Sequence, residues 1–249
     1  MTKTVLLHIG LPKTGSTSVQ HLMKSNVLKL QEQGFDLYRA EVLSKNCGEL
    51  PFTTVREGLT TFQTGKFPDV DRDALFDKTR TVIHDFVAAS KMDQFVFSNE
   101  NLSNIRTSEE CDRLKALFPA DVRFEVYLVL REPEEWLRSY ASQIRKNPNR
   151  QLSDDPASAF YIEPDTWLLD FDGLEACFAE NVGPVTTIQY DPKTANSNLL
   201  KAFGVTPWQG VDDVRTNVSQ WNQPLWTRLR RKIALRTRLR RQWSAFRRV

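Results

Sequence analysis

Two patterns of hydrophobic positions alternate along this chain: short apolar runs and longer amphipathic stretches. Apolar runs bounded by turn residues predict buried strands. They cover residues 5–9, 35–38, 94–98, 122–130 and 185–190. Stretches with apolar residues at every third or fourth position predict helices. They cover residues 16–33, 71–91, 108–117, a segment that starts at 133, and residues 165–180, 196–203 and 223–246.

The order of these elements predicts the fold class. Strands that alternate with helices indicate a mostly parallel sheet covered on both faces, which is a three-layer α/β architecture. Residues 122–130 begin with alternation and end wholly apolar, as is typical of a strand entering the middle of a sheet. Residues 40–70 show no clear period, and we expect loops there with at most one short helix. The predicted organisation is a single domain over residues 1–219 and a basic helix within 220–249.

Length and composition indicate a globular protein. The chain has 249 residues, of which 40% are hydrophobic and 26% charged, and this length is sufficient for one sizeable core. No apolar run approaches the length of a membrane span, and the N-terminus shows no signal peptide, so we expect a cytoplasmic protein. The three cysteines, Cys47, Cys111 and Cys177, have no metal-binding spacing and do not predict a disulfide framework.

Charge is distributed unevenly along the chain. Residues 220–249 contain ten Arg or Lys and no acidic residue, whereas the preceding 219 residues carry a net charge of −7. The tail at 223–248 could pack on this acidic body, which we favour. It could also contact an anionic membrane surface, which would make the protein peripheral at the inner membrane. Binding of an acidic polysaccharide or a nucleic acid is a third interpretation, although no specific nucleic acid is indicated.

The first apolar run leads into a loop that carries two glycines, a lysine and several hydroxyl groups. Gly10 and Gly15 have the spacing of a phosphate-binding P-loop, but Lys13 precedes the second glycine instead of following it. The hydroxyl groups belong to Thr14, Ser16, Thr17 and Ser18. Because a helix is predicted from residue 16, its N–H groups and dipole would reinforce the Lys13 charge. The segment therefore predicts an anion-binding site.

A second set of anion-binding residues follows the strand at 122–130. Arg131 leaves the carboxyl end of this strand, which is the edge at which α/β sheets bind ligands. Its guanidinium can pair with two phosphate oxygens. Ser139 follows eight residues later, about two helical turns along, and so lies on the same helix face. The common structural interpretation of Arg131 is an ion pair with Glu132 or Glu135.

Both segments resemble motifs of sulfotransferases that use 3′-phosphoadenosine-5′-phosphosulfate (PAPS). Residues 12–17, Pro-Lys-Thr-Gly-Ser-Thr, resemble the 5′-phosphosulfate loop, and Arg131-x-Pro133 with Ser139-Tyr140 resembles the 3′-phosphate motif. The resemblance implies a P-loop-NTPase-like sulfotransferase fold. It also implies a bacterial enzyme that needs no metal and transfers sulfuryl in line to a hydroxyl acceptor, such as a carbohydrate. The implied cofactor-binding residues are Lys13, Thr14, Gly15, Ser16, Thr17, Ser18, Arg131 and Ser139.

The implied reaction needs a base for the acceptor's proton, and Lys13 would stabilise the leaving group. Glu100 is the first candidate base because it follows the strand at 94–98, and His8 is the second. Alternatively, Ser98 or Asn99 caps a helix and Glu100 is only a first-turn acid. We interpret Trp136 and Tyr140 as packing residues, and the alternative is that one of them stacks on an adenine ring.

Two other functions stay open. The first is a P-loop-type small-molecule kinase. Against it are the position of Lys13 and the residues Ser98 and Asn99, where an Asp would hold Mg²⁺. The second is a non-catalytic nucleotide-binding or membrane-associated protein of the same fold.

Overall fold

A parallel five-stranded sheet lies at the centre of the structure, a computed structural model that describes residues 2–146 and 151–214. The strand order is β2-β3-β1-β4-β5, and every pair of neighbours is parallel. The bounds are β1 Thr4–His8, β2 Phe35–Leu37, β3 Gln94–Ser98, β4 Arg123–Leu130 and β5 Val185–Gln189. The five predicted strands are thus confirmed, with ends shifted by one residue at most.

Helices connect the strands, and most of them match predicted ones. The bounds are α1 Ser16–Ser25, α2 Val27–Gln31, α3 Glu49–Thr54, α4 Phe62–Lys66, α5 Arg72–Ala89, α6 Ser108–Lys115, α7 Pro133–Lys146, α8 Phe171–Asn181 and α9 Ala195–Ala202. Short 3₁₀ helices cover Glu100–Asn104, Trp167–Leu169 and Val211–Asp213. Among the described residues, no helix combines the length and the apolar character needed to cross a membrane.

The central strand β1 has buried side chains on both faces of the sheet. Val5 and Leu7 belong to a core that also contains buried side chains from α5, α6, α7 and α8. Leu6 points to the opposite face, where it shares a core with α1, α2 and α9. Helices therefore cover both faces, and the predicted three-layer α/β fold is confirmed.

Some predicted elements differ from the structure in detail. The single helix predicted over 16–33 is broken at Asn26, whose side-chain amide donates to Leu22 O at 2.9 Å. That carbonyl would accept the Asn26 N–H if the helix continued, so the Asn side chain competes with the backbone. Residues 40–70 contain two short helices instead of at most one. The predicted boundary at 219 and the helix at 223–246 lie outside the described residues.

Two cysteines that are distant in the sequence meet between helices. Cys111 of α6 and Cys177 of α8 are free thiols with their Sγ atoms 3.6 Å apart. Burial raises the pKa of both thiols. Both residues therefore contribute to packing as neutral groups.

Glu110 connects α6 to the segment after α3. Its carboxylate is buried and accepts hydrogen bonds from the N–H groups of Arg56, Arg106 and Thr107, at 2.5, 2.6 and 3.2 Å. The Arg56 guanidinium forms an ion pair with the same carboxylate at 3.3 Å. Removal of Glu110 would leave several partly buried donors without this acceptor.

We expect Glu110→Ala to reduce the free energy of unfolding by about 3 kcal/mol, because it breaks a buried, multiply bonded carboxylate. Urea denaturation at neutral pH measures this change. The matched control is Glu109→Ala, because Glu109 is exposed on the same turn. Equal losses for the two variants would contradict the connecting role of Glu110.

Candidate functional site

The loop between β1 and α1 turns sharply through two left-handed residues. Lys13 has φ 72° and Gly15 has φ 83°. Gly15 directly precedes α1, and a Cβ added there would lie 3.2 Å from Tyr190 Cε2. Glycine therefore suits position 15 both in conformation and in space. The turn brings Lys13 close to the N-terminus of α1.

Three consecutive carbonyl groups of the loop accept hydrogen bonds from side chains. Thr14 Oγ1 donates to Leu11 O at 2.6 Å, Trp136 Nε1 to Pro12 O at 2.8 Å, and Arg131 Nη1 to Lys13 O at 3.3 Å. In a trans peptide the C=O and the following N–H point in opposite directions. The N–H groups of Lys13 and Thr14 are therefore directed away from these donors, as in a backbone anion nest.

The first turn of α1 continues this donor surface. The N–H groups of Ser16 and Thr17 have no preceding helical carbonyl to bond, and the turn contains no acidic residue. Ser16 and Thr14 are buried, Thr17 is exposed, and Lys13 and Ser18 are half-buried. The structure thus places the predicted residues 13–18 in one turn whose dipole and charge favour an anion.

Arg131 lies beside this loop, as a residue at the end of β4 should. Its Nε and Nη2 donate to Glu135 Oε2 at 3.2 and 3.1 Å. This is one of the two ion pairs that the sequence suggested for Arg131 as a purely structural residue. Its guanidinium carbon also lies 5.3 Å from the centre of the Tyr190 ring. Because Glu135 is half-exposed, solvent screens this ion pair and it contributes little to stability.

Ser139 and the two aromatic residues of α7 have different positions. Ser139 is half-buried and follows Glu135 by four residues, so both lie on the same helix face. Trp136 and Tyr140 are buried and stacked, with ring centroids 5.0 Å apart. The interpretation of these two rings as packing residues is confirmed. Trp136 has the further role of holding the loop at Pro12 O.

A buried polar network lies where β3 ends. His8 Nδ1 and Ser98 Oγ are 2.7 Å apart. Gln20 Nε2 donates to Ser98 O, Ser98 Oγ and Glu100 Oε2 at 3.1, 3.2 and 3.3 Å. Burial lowers the pKa of His8 to about 4, so this imidazole is neutral at neutral pH.

Glu100 is the first residue of a 3₁₀ helix that follows β3 directly after Asn99. Asn99 caps this helix, because its Oδ1 accepts from Asn101 N at 2.8 Å. The structure thus confirms the alternative prediction, in which Asn99 caps a helix and Glu100 is an acidic residue in its first turn. Its carboxylate is joined to α1 through Gln20, whereas the described hydrogen bonds of Arg131 go to Glu135 and Lys13.

Sequence reasoning did not identify Gln20, or Trp136 as a loop anchor. Gln20 falls at the edge of the apolar face of α1, and it is nevertheless buried. The sequence signal that could have identified it is a polar residue at the edge of an apolar helix face, one turn after an anion-binding loop.

No family model matches the chain, and no curated protein matches it. One solved structure to which this chain is similar is the sulfotransferase domain from the curacin biosynthetic pathway. It is 14% identical, the match covers 85% of this chain and 77% of that one, and the TM-score is 0.40. Similarity at this level carries no argument about function.

Residue 13 allows the loop conformation to be tested. We expect Lys13→Gly to be more stable than Lys13→Ala by about 1 kcal/mol, because only glycine adopts a left-handed φ without steric cost. Both variants lack the charged side chain, so the difference isolates the backbone. Urea denaturation of the two proteins measures it. An alanine variant as stable as the glycine variant would argue against the left-handed turn.

His8 makes stability depend on pH. Its pKa is lower in the folded than in the unfolded chain, so the unfolded chain binds more protons between pH 6.5 and 4. Stability should therefore fall as the pH is lowered, by about 3 kcal/mol from this group between pH 7 and pH 4.

The variant His8→Asn should lose that part of the pH dependence, whereas His21→Asn should keep it, because His21 is exposed on α1. Denaturant titrations at pH 7 and pH 4 compare the three proteins. The same pH dependence in His8→Asn and wild type would show that His8 titrates normally.

Proposed function

We propose that this protein is a PAPS-dependent sulfotransferase that acts on a hydroxyl acceptor, such as a small-molecule or polysaccharide carbohydrate. One observation carries the proposal. Arg131 Nη1 donates to Lys13 O, which joins two anion-binding motifs that are 118 residues apart in the sequence. PAPS has two anionic groups, and a site built from two such motifs suits a ligand of this kind.

The donor set fits the two anionic groups separately. Lys13, Thr14, Gly15, Ser16, Thr17 and Ser18 would hold the 5′-phosphosulfate through hydroxyl groups, backbone N–H groups and one ammonium. Arg131 and Ser139 would hold the 3′-phosphate. The Nε and Nη2 atoms of Arg131 form the edge that pairs two oxygens, and Glu135 occupies that edge in the structure. A phosphate would replace Glu135 there.

PAPS supplies the sulfuryl group in this proposal. Lys13 and the N-terminus of α1 stabilise the negative charge that develops on the bridging oxygen of the 5′-phosphate as its bond to sulfur breaks. Glu100 accepts the proton of the acceptor hydroxyl as the oxygen bonds to sulfur. The products are the sulfate ester and 3′-phosphoadenosine-5′-phosphate (PAP). His8 is less suited to be the base, because its ring is buried and tied to Ser98.

Titration of the protein with PAP in the absence of Mg²⁺ tests the proposal, with calorimetry as the measurement. We expect Arg131→Ala to weaken PAP binding by about 10- to 100-fold, because it removes a charged partner of the 3′-phosphate. Arg138→Ala is the matched control, because Arg138 is exposed on α7, the helix that begins two residues after Arg131. Binding of adenosine 5′-phosphate, which lacks the 3′-phosphate, should change little in either variant.

Other outcomes favour the other functions. Equal affinity for PAP and ATP, or a requirement for Mg²⁺, would support a small-molecule kinase instead. PAP binding without sulfuryl transfer to any of a panel of sugar and alcohol acceptors would support a non-catalytic nucleotide-binding protein. The role of the tail at 223–248 at an anionic membrane surface stays a prediction.

A further inference from the structure

The side chain of Gln20 connects the anion-binding helix to the candidate base. Gln20 is buried, and its amide nitrogen has three acceptors within 3.3 Å: Ser98 O, Ser98 Oγ and Glu100 Oε2. A backbone carbonyl and a carboxylate only accept hydrogen bonds, so the NH₂ group must face them. The orientation of the Gln20 side chain is therefore determined by its partners.

Ser98, which accepts from Gln20, is itself held in place by a contact with His8. Ser98 Oγ lies 2.7 Å from His8 Nδ1, and both residues are buried where β1 and β3 pair. Because Gln20 donates to Ser98 Oγ, the Ser98 hydroxyl is available to donate to the neutral imidazole. Gln20 is thus bonded directly to β3 and Glu100, and it is connected to β1 through the contact between Ser98 and His8.

We propose that Gln20 is a positioning residue that holds the Glu100 carboxylate at a fixed place relative to the N-terminus of α1. The inference rests on the proposed function. Gln20 follows Ser16 by four residues, a rise of about 6 Å along the helix. One rigid helix thus carries the phosphosulfate site on its first turn and the support of the base on its second.

This arrangement has a mechanistic consequence. An acceptor oxygen must lie within about 3 Å of the base and within about 3.5 Å of the sulfur atom. Without Gln20, the Glu100 carboxylate would keep its place in the chain but lose its fixed direction. Transfer should then slow while the phosphosulfate site itself is unchanged.

The test compares Gln20→Leu with a matched control, Gln31→Leu. Gln31 Nε2 donates to the Asp36 carboxylate at 3.3 Å, so the control removes the same kind of bond, of the same length, from α2. The probes are PAP binding by calorimetry and the release of inorganic sulfate from PAPS with water as the acceptor. A third variant, Glu100→Gln, and its combination with Gln20→Leu complete a double-mutant cycle.

We expect Gln20→Leu to bind PAP within twofold of wild type and to release sulfate at least tenfold more slowly. Gln31→Leu should change neither quantity. The double variant should be no slower than Glu100→Gln, because Gln20 acts through Glu100. A purely structural role would weaken PAP binding as well, or add to the effect of Glu100→Gln.

Three results would overturn the inference. They are equal rates for Gln20→Leu and Gln31→Leu, a parallel loss of PAP affinity in Gln20→Leu, and an additive effect in the double variant. The proposed function and this inference would both be overturned if the wild-type protein does not bind PAP. They would also be overturned if it binds PAP but transfers the sulfuryl group of PAPS to no acceptor, water included.

Discussion

Two side-chain donors, Trp136 Nε1 and Arg131 Nη1, hold the carbonyl groups of Pro12 and Lys13, and the geometry of the candidate site depends on them. They turn consecutive carbonyls toward β4 and α7, so the following N–H groups point the other way. The left-handed turn at Lys13 is maintained by this anchoring, because an isolated non-glycine residue avoids that conformation. Trp136 also belongs to the hydrophobic core on one face of the sheet. Its hydrogen bond to Pro12 O therefore ties the loop to that core.

Most of the sheet could be predicted from the sequence, because a strand buried on both faces and an amphipathic helix have different apolar periods. Residues 40–70 could not. The last carbonyls of α3 are bound by arginines from other elements: Arg72 Nε donates to Phe52 O at 3.1 Å and Arg113 Nε to Thr53 O at 2.5 Å. A short helix stabilised by such distant partners leaves no periodic pattern in its own residues. The break at Asn26 was also not predicted. One side-chain amide that competes with the backbone for Leu22 O hardly changes the spacing of apolar residues along the chain.

The candidate site was predictable in part for a geometric reason. Lys13 and Arg131 each follow a parallel strand, and parallel strands that pair end at the same edge, so the two residues had to lie close together. The contacts of Gln20 were not predicted, because its hydrogen-bond acceptors belong to Ser98 and Glu100, at the end of β3, and not to its own helix. Glu100 combines a backbone position with a side-chain contact: it begins a capped 3₁₀ helix, and its carboxylate accepts a hydrogen bond from Gln20 Nε2.

In the proposed function, the loop at residues 13–18 and Arg131 form one site for a doubly anionic nucleotide. A crystal structure of the protein with PAP bound tests this most directly. We expect the 5′-phosphate to lie against the N–H groups at the start of α1, and the 3′-phosphate to lie on Arg131 and Ser139, with Glu135 displaced. PAP bound elsewhere, or held at the loop with its 3′-phosphate away from Arg131 and the Glu135 pair intact, would contradict it.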